Sequence, residues 1–293
     1  MTCCVAALCD DRTAIVMAAD KMVGMAGMES EPDISKIFRI HKNWFVMLAG
    51  NGISPAFDVI DDARKQFSGK KALRIEEATR IVSDAYQKKR EVEAEKLYLS
   101  PIGWTLKKFN APSASQALPE SIRLNLIYQI QAYTLPIVLL VVGFDGKARG
   151  HIFSIGESEI SRAVPQRHDI PGYYSIGSGS FGALYMLGYR ELSPSKPIRE
   201  ALYYVVEGKF FGEFASGVGL RTDLYIIRPN KPYLRIIEKA VDKKLMSLCD
   251  RLSPRQVDQR GVDVLNSLHG KRMDTIPKIK LVGKGEERTI STV

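Results

Sequence analysis

Two apolar runs open the chain, residues 3–9 and 13–19, parted by the polar triplet Asp10-Asp11-Arg12. Apolar runs of that length joined by a turn signal predict a hairpin. Residues 36–40 (Lys-Ile-Phe-Arg-Ile) then alternate, and residues 44–49 stay apolar until Gly50-Asn51-Gly52 stops them. Four strands without an intervening helix predict antiparallel pairing. The period then changes: Ala56, Val59, Ile60, Ala63 and Phe67 recur at helical spacing over 54–67, and Ala78, Ile81, Val82, Ala85 and Val92 over 76–96. Residues 97–120 are poorly periodic, with an Ala-Pro-Ser-Ala-Ser tract, and predict an inserted loop. A helix is predicted over 121–133, strands over 136–143, 150–155 and 172–176, helices over 180–190 and 197–212, and a strand over 223–228. Strands and helices segregated into blocks predict an α+β fold, with antiparallel sheets packed against helical layers rather than a parallel alternating sheet. Residues 2–235 read as one domain. Residues 236–293 read as a basic C-terminal extension, its first part helical with Ile237, Ala240, Val241, Lys244 and Leu248 on one side. No internal repeat is visible.

At 45% hydrophobic residues, 293 residues can bury a sizeable core. No apolar run reaches the roughly 18 residues of a membrane span, and Asp10, Asp11 and Arg12 interrupt any signal-peptide core. The expectation is a cytoplasmic protein without a membrane partner. Cys3, Cys4, Cys9 and Cys249 show no CxxC spacing and read as reduced thiols rather than disulfides or metal ligands. The net charge of +9 raises the question of nucleic acid. The cations are spread along the chain beside acids, as in Lys88-Lys89-Arg90-Glu91, which reads as a solvated helix face and argues against that partner.

His41, His151, His168 and His269 lie near no GxSxG elbow, and no HExxH, P-loop or Cys/His cluster occurs. Zinc hydrolysis and phosphate cradling therefore have no support, and no metal or cofactor is expected. Gly177-Ser-Gly-Ser-Phe-Gly182 matches GxGxxG, but it follows strands rather than βαβ units and reads as a tight strand-to-helix turn. Thr2 follows Met1 directly. A small second residue suits methionine removal, and a free threonine carries a hydroxyl nucleophile and, in its α-amine, a base. That amine's reference pKa of roughly 8 suits a general base. Many chains open Met-Thr, so this feature alone assigns nothing.

Residues 2–56 resemble the start of a proteasome β subunit. Thr2-Cys-Cys-Val5 stands where that family has a short Thr-led strand. Val16-Met-Ala-Ala-Asp-Lys21, Ser35-Lys-Ile-Phe-Arg-Ile40 and Met47-Leu-Ala-Gly50 match further segments, with equal intervals from Asp20 to Lys36 and from Lys36 to Gly50. Val141-Val-Gly-Phe-Asp145, Ser175-Ile-Gly-Ser-Gly179 and Phe214-Ala-Ser-Gly217 continue the likeness, which spans roughly 2–235. The Met-Thr-x-Cys opening is similar to Anbu-like bacterial proteasome homologues.

The resemblance implies a four-layer αββα sandwich of the N-terminal nucleophile hydrolase type and threonine-type cleavage of peptides or unfolded proteins. It implies a homo-oligomeric ring or stack and leaves room for an ATP-dependent unfoldase. Carried over by position, Thr2 is the nucleophile, Lys36 the ammonium beside it, Asp20 the counter-charge of Lys36, and Gly50 the oxyanion donor. Ser178 and Ser216 stand around the threonine amine, with Glu213 where the family has an aspartate. Val23, Ile34, Phe38, Leu48 and Gly52 stand where the family lines the pocket for the residue before the cut. Two other readings stay open: a catalytically silent structural subunit of such an assembly, and a small-molecule amidohydrolase on the same scaffold.

Overall fold

The computed structural model describes residues 2–25, 28–32, 34–51, 53–71, 73–111, 118–157, 163–236, 279–283 and 286–289. The first apolar runs form β1 (Cys4–Cys9) and β2 (Ala14–Asp20), paired so that Val5 faces Ala18. Their turn, Asp10 to Arg12, runs through three consecutive positive φ angles. Asp10 also accepts the Ile198 N–H at 2.9 Å, tying this turn to the start of a late helix. A small hairpin follows, β3 (Val23–Met25) and β4 (Met28–Ser30), then β5 (Ile37–His41) and β6 (Trp44–Gly50). Helices α1 (Ile53–Phe67) and α2 (Ile75–Ala94) come next.

In α1 every residue expected on the apolar face is buried. In α2 the inward face holds except at Val92, which is exposed. Arg90 turns inward instead and donates to Tyr133 O (2.8 Å), Ile130 O (2.5 Å) and Gln131 O (3.0 Å). Those carbonyls close the end of α4 (Glu120–Ala132). Helical turns also run through much of the expected loop: a π turn at Glu95–Leu99, a 3-10 turn at Ser100–Ile102 and the short α3 (Leu106–Phe109). Leu97 and Ile102 stay exposed there, so the stretch carries no helical period.

The second half supplies β7 (Ile137–Phe144), β8 (Gly150–Ile155), β9 (Gln166–Arg167), β10 (Tyr173–Ile176), α5 (Ser180–Tyr189), α6 (Ile198–Gly212), β11 (Thr222–Ile227) and β12 (Leu234–Ile236). Strands β13 (Ile279–Gly283) and β14 (Glu286–Thr289) extend the sheet beyond β12. The sequence pattern predicts no strand there. The helix expected from 236 onward and Cys249 lie outside the described residues.

Apart from the two-stranded β3–β4 hairpin, the described strands make two antiparallel sheets, ordered β10-β1-β2-β11-β12-β13-β14 and β5-β6-β7-β8-β9. With the six α-helices among the described residues this is an α+β fold. Strand alternation sorts the apolar side chains into three clusters. Cys3, Val5, Ala7, Val16 and Ala18 pack with Ala183, Leu187, Val206 and Phe210 of α5 and α6. Val46, Val141 and Phe153 pack with α1 and α2. The third cluster draws on strands of both sheets, among them Cys4, Ala6, Met17, Phe45, Met47, Leu140 and Ile152. No helix among the described residues is long and apolar enough to cross a membrane.

Candidate active site

Strand order decides what surrounds residue 2. β1 lies between β2 and β10, and Cys4 sits opposite both Ala19 and Ile176. The residue entering β1 is therefore flanked by the end of β2 at Asp20 and by the turn Gly177-Ser178-Gly179 that leaves β10. Thr2 O accepts from Gly179 N (3.1 Å), and Thr2 N donates to Ser178 Oγ (3.2 Å). Gly177 has φ +94, and a Cβ there would stand 2.2 Å from Thr2 O. The turn that resembles a dinucleotide motif is instead the cradle of residue 2.

Lys36 enters from the other sheet, just ahead of β5. Its Nζ donates to Thr2 Oγ1 at 2.6 Å and to Asp20 Oδ1 and Oδ2 at 3.0 and 2.9 Å. Asp20 is fully buried. It also accepts N–H groups from Cys3 (2.8 Å), Met22 (2.9 Å) and Gly219 (3.1 Å). A carboxylate with three amides and an ammonium is charge-compensated despite its burial. Thr2 itself is 4% exposed.

Gly50 ends β6 with φ +118, where a Cβ would stand 2.3 Å from Pro136 O, so only glycine fits. Leu48 N donates to Lys36 O (3.2 Å) and Asn51 N to Pro136 O (3.0 Å). Leu48 and Asn51 thus donate to opposite neighbours, and strand alternation turns the Gly50 N–H to the Lys36 side.

Thr2, Asp20, Lys36 and Ser178 are thus joined by hydrogen bonds. Glu213 and Ser216 are not joined to them, against expectation. Glu213 pairs with Lys209, one turn earlier on the same helix side. Burial raises its carboxyl pKa, against the pull of Lys209. Ser216 is exposed, in the turn after α6, and makes no hydrogen bond among the described residues. Of the expected pocket residues, Phe38 and Leu48 are half-buried on the cluster under α1, Phe38 meeting Phe57 edge-on at 5.3 Å. Val23 lies half-buried on β3, Ile34 is exposed, and Gly52 lies outside the described residues. Lys209 and Gly219 have no place in the sequence expectation. The one sequence signal for Lys209 is its place four residues ahead of Glu213 on one helix.

No family model matches the chain. No curated protein matches it either. The site therefore rests on its own chemistry. Its thiols are poor rivals to Thr2: burial pushes Cys3 up to about 12 and Cys4 well above its usual value, leaving both protonated near neutrality. A cavity of about 390 Å³ edged by Arg39, Lys42, Arg228 and Lys231 lies at the opposite end of the strands, by the β5–β6 and β11–β12 turns.

A Ser–His pair does occur, Ser154 Oγ to His168 Nε2 at 2.8 Å, but it is built as core. Ser154 is fully buried and donates to Glu157 Oε2 at 2.6 Å, and His168 stacks on Tyr174 with centroids 3.4 Å apart. Burial lowers the His168 pKa from 6.5 to about 4, against the pull of Asp169. Above pH 6.5 the folded and unfolded chains are both neutral here. Between 6.5 and about 4 the unfolded chain binds a proton that the folded chain refuses, so stability falls as pH falls through that window. The melting temperature should drop correspondingly. His168→Gln, which can still donate to Ser154 but cannot titrate, should flatten that slope; an unchanged slope would assign it to other groups.

Proposed function

We propose that this chain is a threonine-type amide hydrolase of the proteasome β-subunit kind, acting on peptides or unfolded proteins. The observation that carries the reading is one ammonium, Lys36, held 2.6 Å from Thr2 Oγ1 by a fully buried carboxylate. In this reading Met1 is removed and the peptide nitrogen of Thr2 becomes an α-amine beside Ser178. Thr2 Oγ1 attacks the scissile carbonyl, its proton passing to the α-amine while Lys36 stabilises the developing alkoxide. Negative charge on the carbonyl oxygen is met by the Gly50 N–H, a type of donor worth roughly 3–4 kcal/mol in the transition state. The C–N bond breaks, the leaving nitrogen takes the proton, and water hydrolyses the ester left on Thr2.

The same reading takes the fold as a four-layer αββα sandwich. Its supports are the two helix-on-sheet clusters and the cluster made of strands from both sheets. It also takes the working form as a homo-oligomer. Phe181, Tyr185 and Tyr189 stand exposed in one row of α5, with Phe214 also exposed, as an oligomer contact requires.

The test is covalent. A peptide epoxyketone should add to the processed protein, and peptide mass mapping should place the adduct on residue 2. Intact mass reports whether Met1 is gone. An adduct on Cys3 or Cys4, with hydrolysis surviving Thr2→Ala, would overturn the assignment.

Specificity follows from the surface beside Lys36. The reading takes Phe38 and Leu48, half-buried against the cluster under α1, as the apolar wall met by the residue before the cut, where a charged side chain would be desolvated at a cost of several kcal/mol. In a fluorogenic panel, medium apolar residues before the cut should outrun arginine or glutamate by roughly tenfold or more. Leu48→Gly should extend acceptance to larger residues. A preference for either charge would refute that wall.

A further inference from the structure

Lys209 is a charged residue that the hydrolytic steps leave unused, and it is fully buried. It lies in the last turn of α6. Its ammonium has three protons and meets three acceptors: Gly219 O at 2.9 Å, Leu220 O at 3.0 Å, and Glu213 Oε1. Burying an ammonium costs several kcal/mol of hydration, and an apolar side chain would fill the same space without that cost. What the charge adds is direction. It draws two consecutive carbonyls onto one point and so sets the orientation of the strap 217–221 between α6 and β11.

The other side of that strap touches the site. Gly219 N donates to Asp20 Oδ2 at 3.1 Å. The approach is close: a Cβ on Gly219 would stand 2.9 Å from Met22 N and 2.0 Å from Glu31 Oε1. Asp20 Oδ2 has two amide donors, Met22 and Gly219, and Oδ1 has one, Cys3; Lys36 bridges both oxygens. Losing the Gly219 amide would free the carboxylate to turn, and Lys36 would turn with it, away from Thr2.

We infer that Lys209 is a positioning residue for Thr2 chemistry, acting through the Gly219 N–H and Asp20 on Lys36. Glu213 is then the counter-charge of Lys209 rather than a partner of the threonine amine. This rests on the hydrolase reading above.

The experiment compares the full-length processed protein with Lys209→Met/Glu213→Gln, in which no buried charge is left unpaired. Each is labelled with a peptide epoxyketone, and two quantities are read by mass spectrometry: the fraction of Thr2 labelled at the end point and the rate constant per labelled site. The expected result is complete labelling with a rate constant roughly 100-fold lower, as a misplacement of about 1 Å at a reacting group produces. A role in folding alone would lower the labelled fraction at an unchanged rate constant, and that outcome overturns the inference. Should the double variant not fold, Gly219→Ala displaces the same N–H with Lys209 intact. It should show the same slow labelling, and a wild-type rate there overturns the inference too. A wild-type protein that fails to label at Thr2 would overturn the hydrolase reading and this inference together. A wild-type protein that labels, beside variants that label equally fast, overturns this inference alone.

Discussion

Lys36→Ala is expected to leave a folded protein whose Thr2 acylation is slower by roughly 10²- to 10⁴-fold, the range that spans losing a positioned charge-stabilising donor and losing a proton-transfer group. The fold should tolerate the change for two reasons. Leu48 N pairs with the backbone carbonyl of residue 36, which alanine retains, so the β5–β6 register keeps that bond. Asp20 keeps its three amide donors, so its buried charge is not stranded. Labelling rate and thermal melting, measured on the same sample, separate the two effects. Lys36→Arg sharpens the comparison: arginine keeps the charge but does not release a proton near neutrality. If Lys36 relays protons, the arginine variant stays slow; if it supplies only a field, much of the rate returns. A near-normal rate in Lys36→Ala would show that its 2.6 Å contact with Thr2 Oγ1 has no part in the reaction.

Gly177→Ala should damage stability and activity together. The residue has φ +94, and the added carbon would meet backbone, Thr2 O at 2.2 Å and Thr2 C at 2.8 Å, rather than a yielding side-chain tip. The left-handed conformation and the overlap sum to about 2–5 kcal/mol, or roughly 5–15 °C in melting temperature for a domain of this size. Relief can come only by pushing residue 2 off Gly179 N and Ser178 Oγ, which moves Oγ1 away from Lys36. Gly69→Ala is the control, since Gly69 has φ +80 but nothing within 4 Å of its added carbon. If Gly177→Ala is no worse than Gly69→Ala in melting or in labelling, the cradle around Thr2 is not what the contacts describe.

The parts of the fold legible in the sequence are those with a long period. β1, β2, β6, β7, α1 and α2 each bury a face over at least six residues, and their ends fall within two residues of the pattern. The β3–β4 hairpin, β9 and β12 are two or three residues long, too short to show alternation. The helical turns at 95–102 escape notice because Leu97 and Ile102 face solvent. In the site, Thr2, Asp20, Lys36 and Ser178 stand in motifs whose intervals are set by strand pairing, and strand register preserves such intervals. Glu213 and Ser216 stand past the end of a helix, where one buried lysine redirects the acid and the serine faces outward. Lys209 is invisible in one dimension because its partners, Gly219 O and Leu220 O, are backbone atoms.

The contacts around residue 2 are long in sequence. Ser178 lies 176 residues from Thr2, and Gly219 lies 199 residues from Asp20. Such loops close late, because their entropy must be lost before any contact rewards it. During synthesis a chain that has emerged only as far as α6 carries Thr2, Asp20 and Lys36 but not the strap that steadies the carboxylate. The hydrogen-bonded arrangement of Thr2, Asp20 and Lys36 is therefore complete only once the strap 217–221 has emerged and closed onto Asp20.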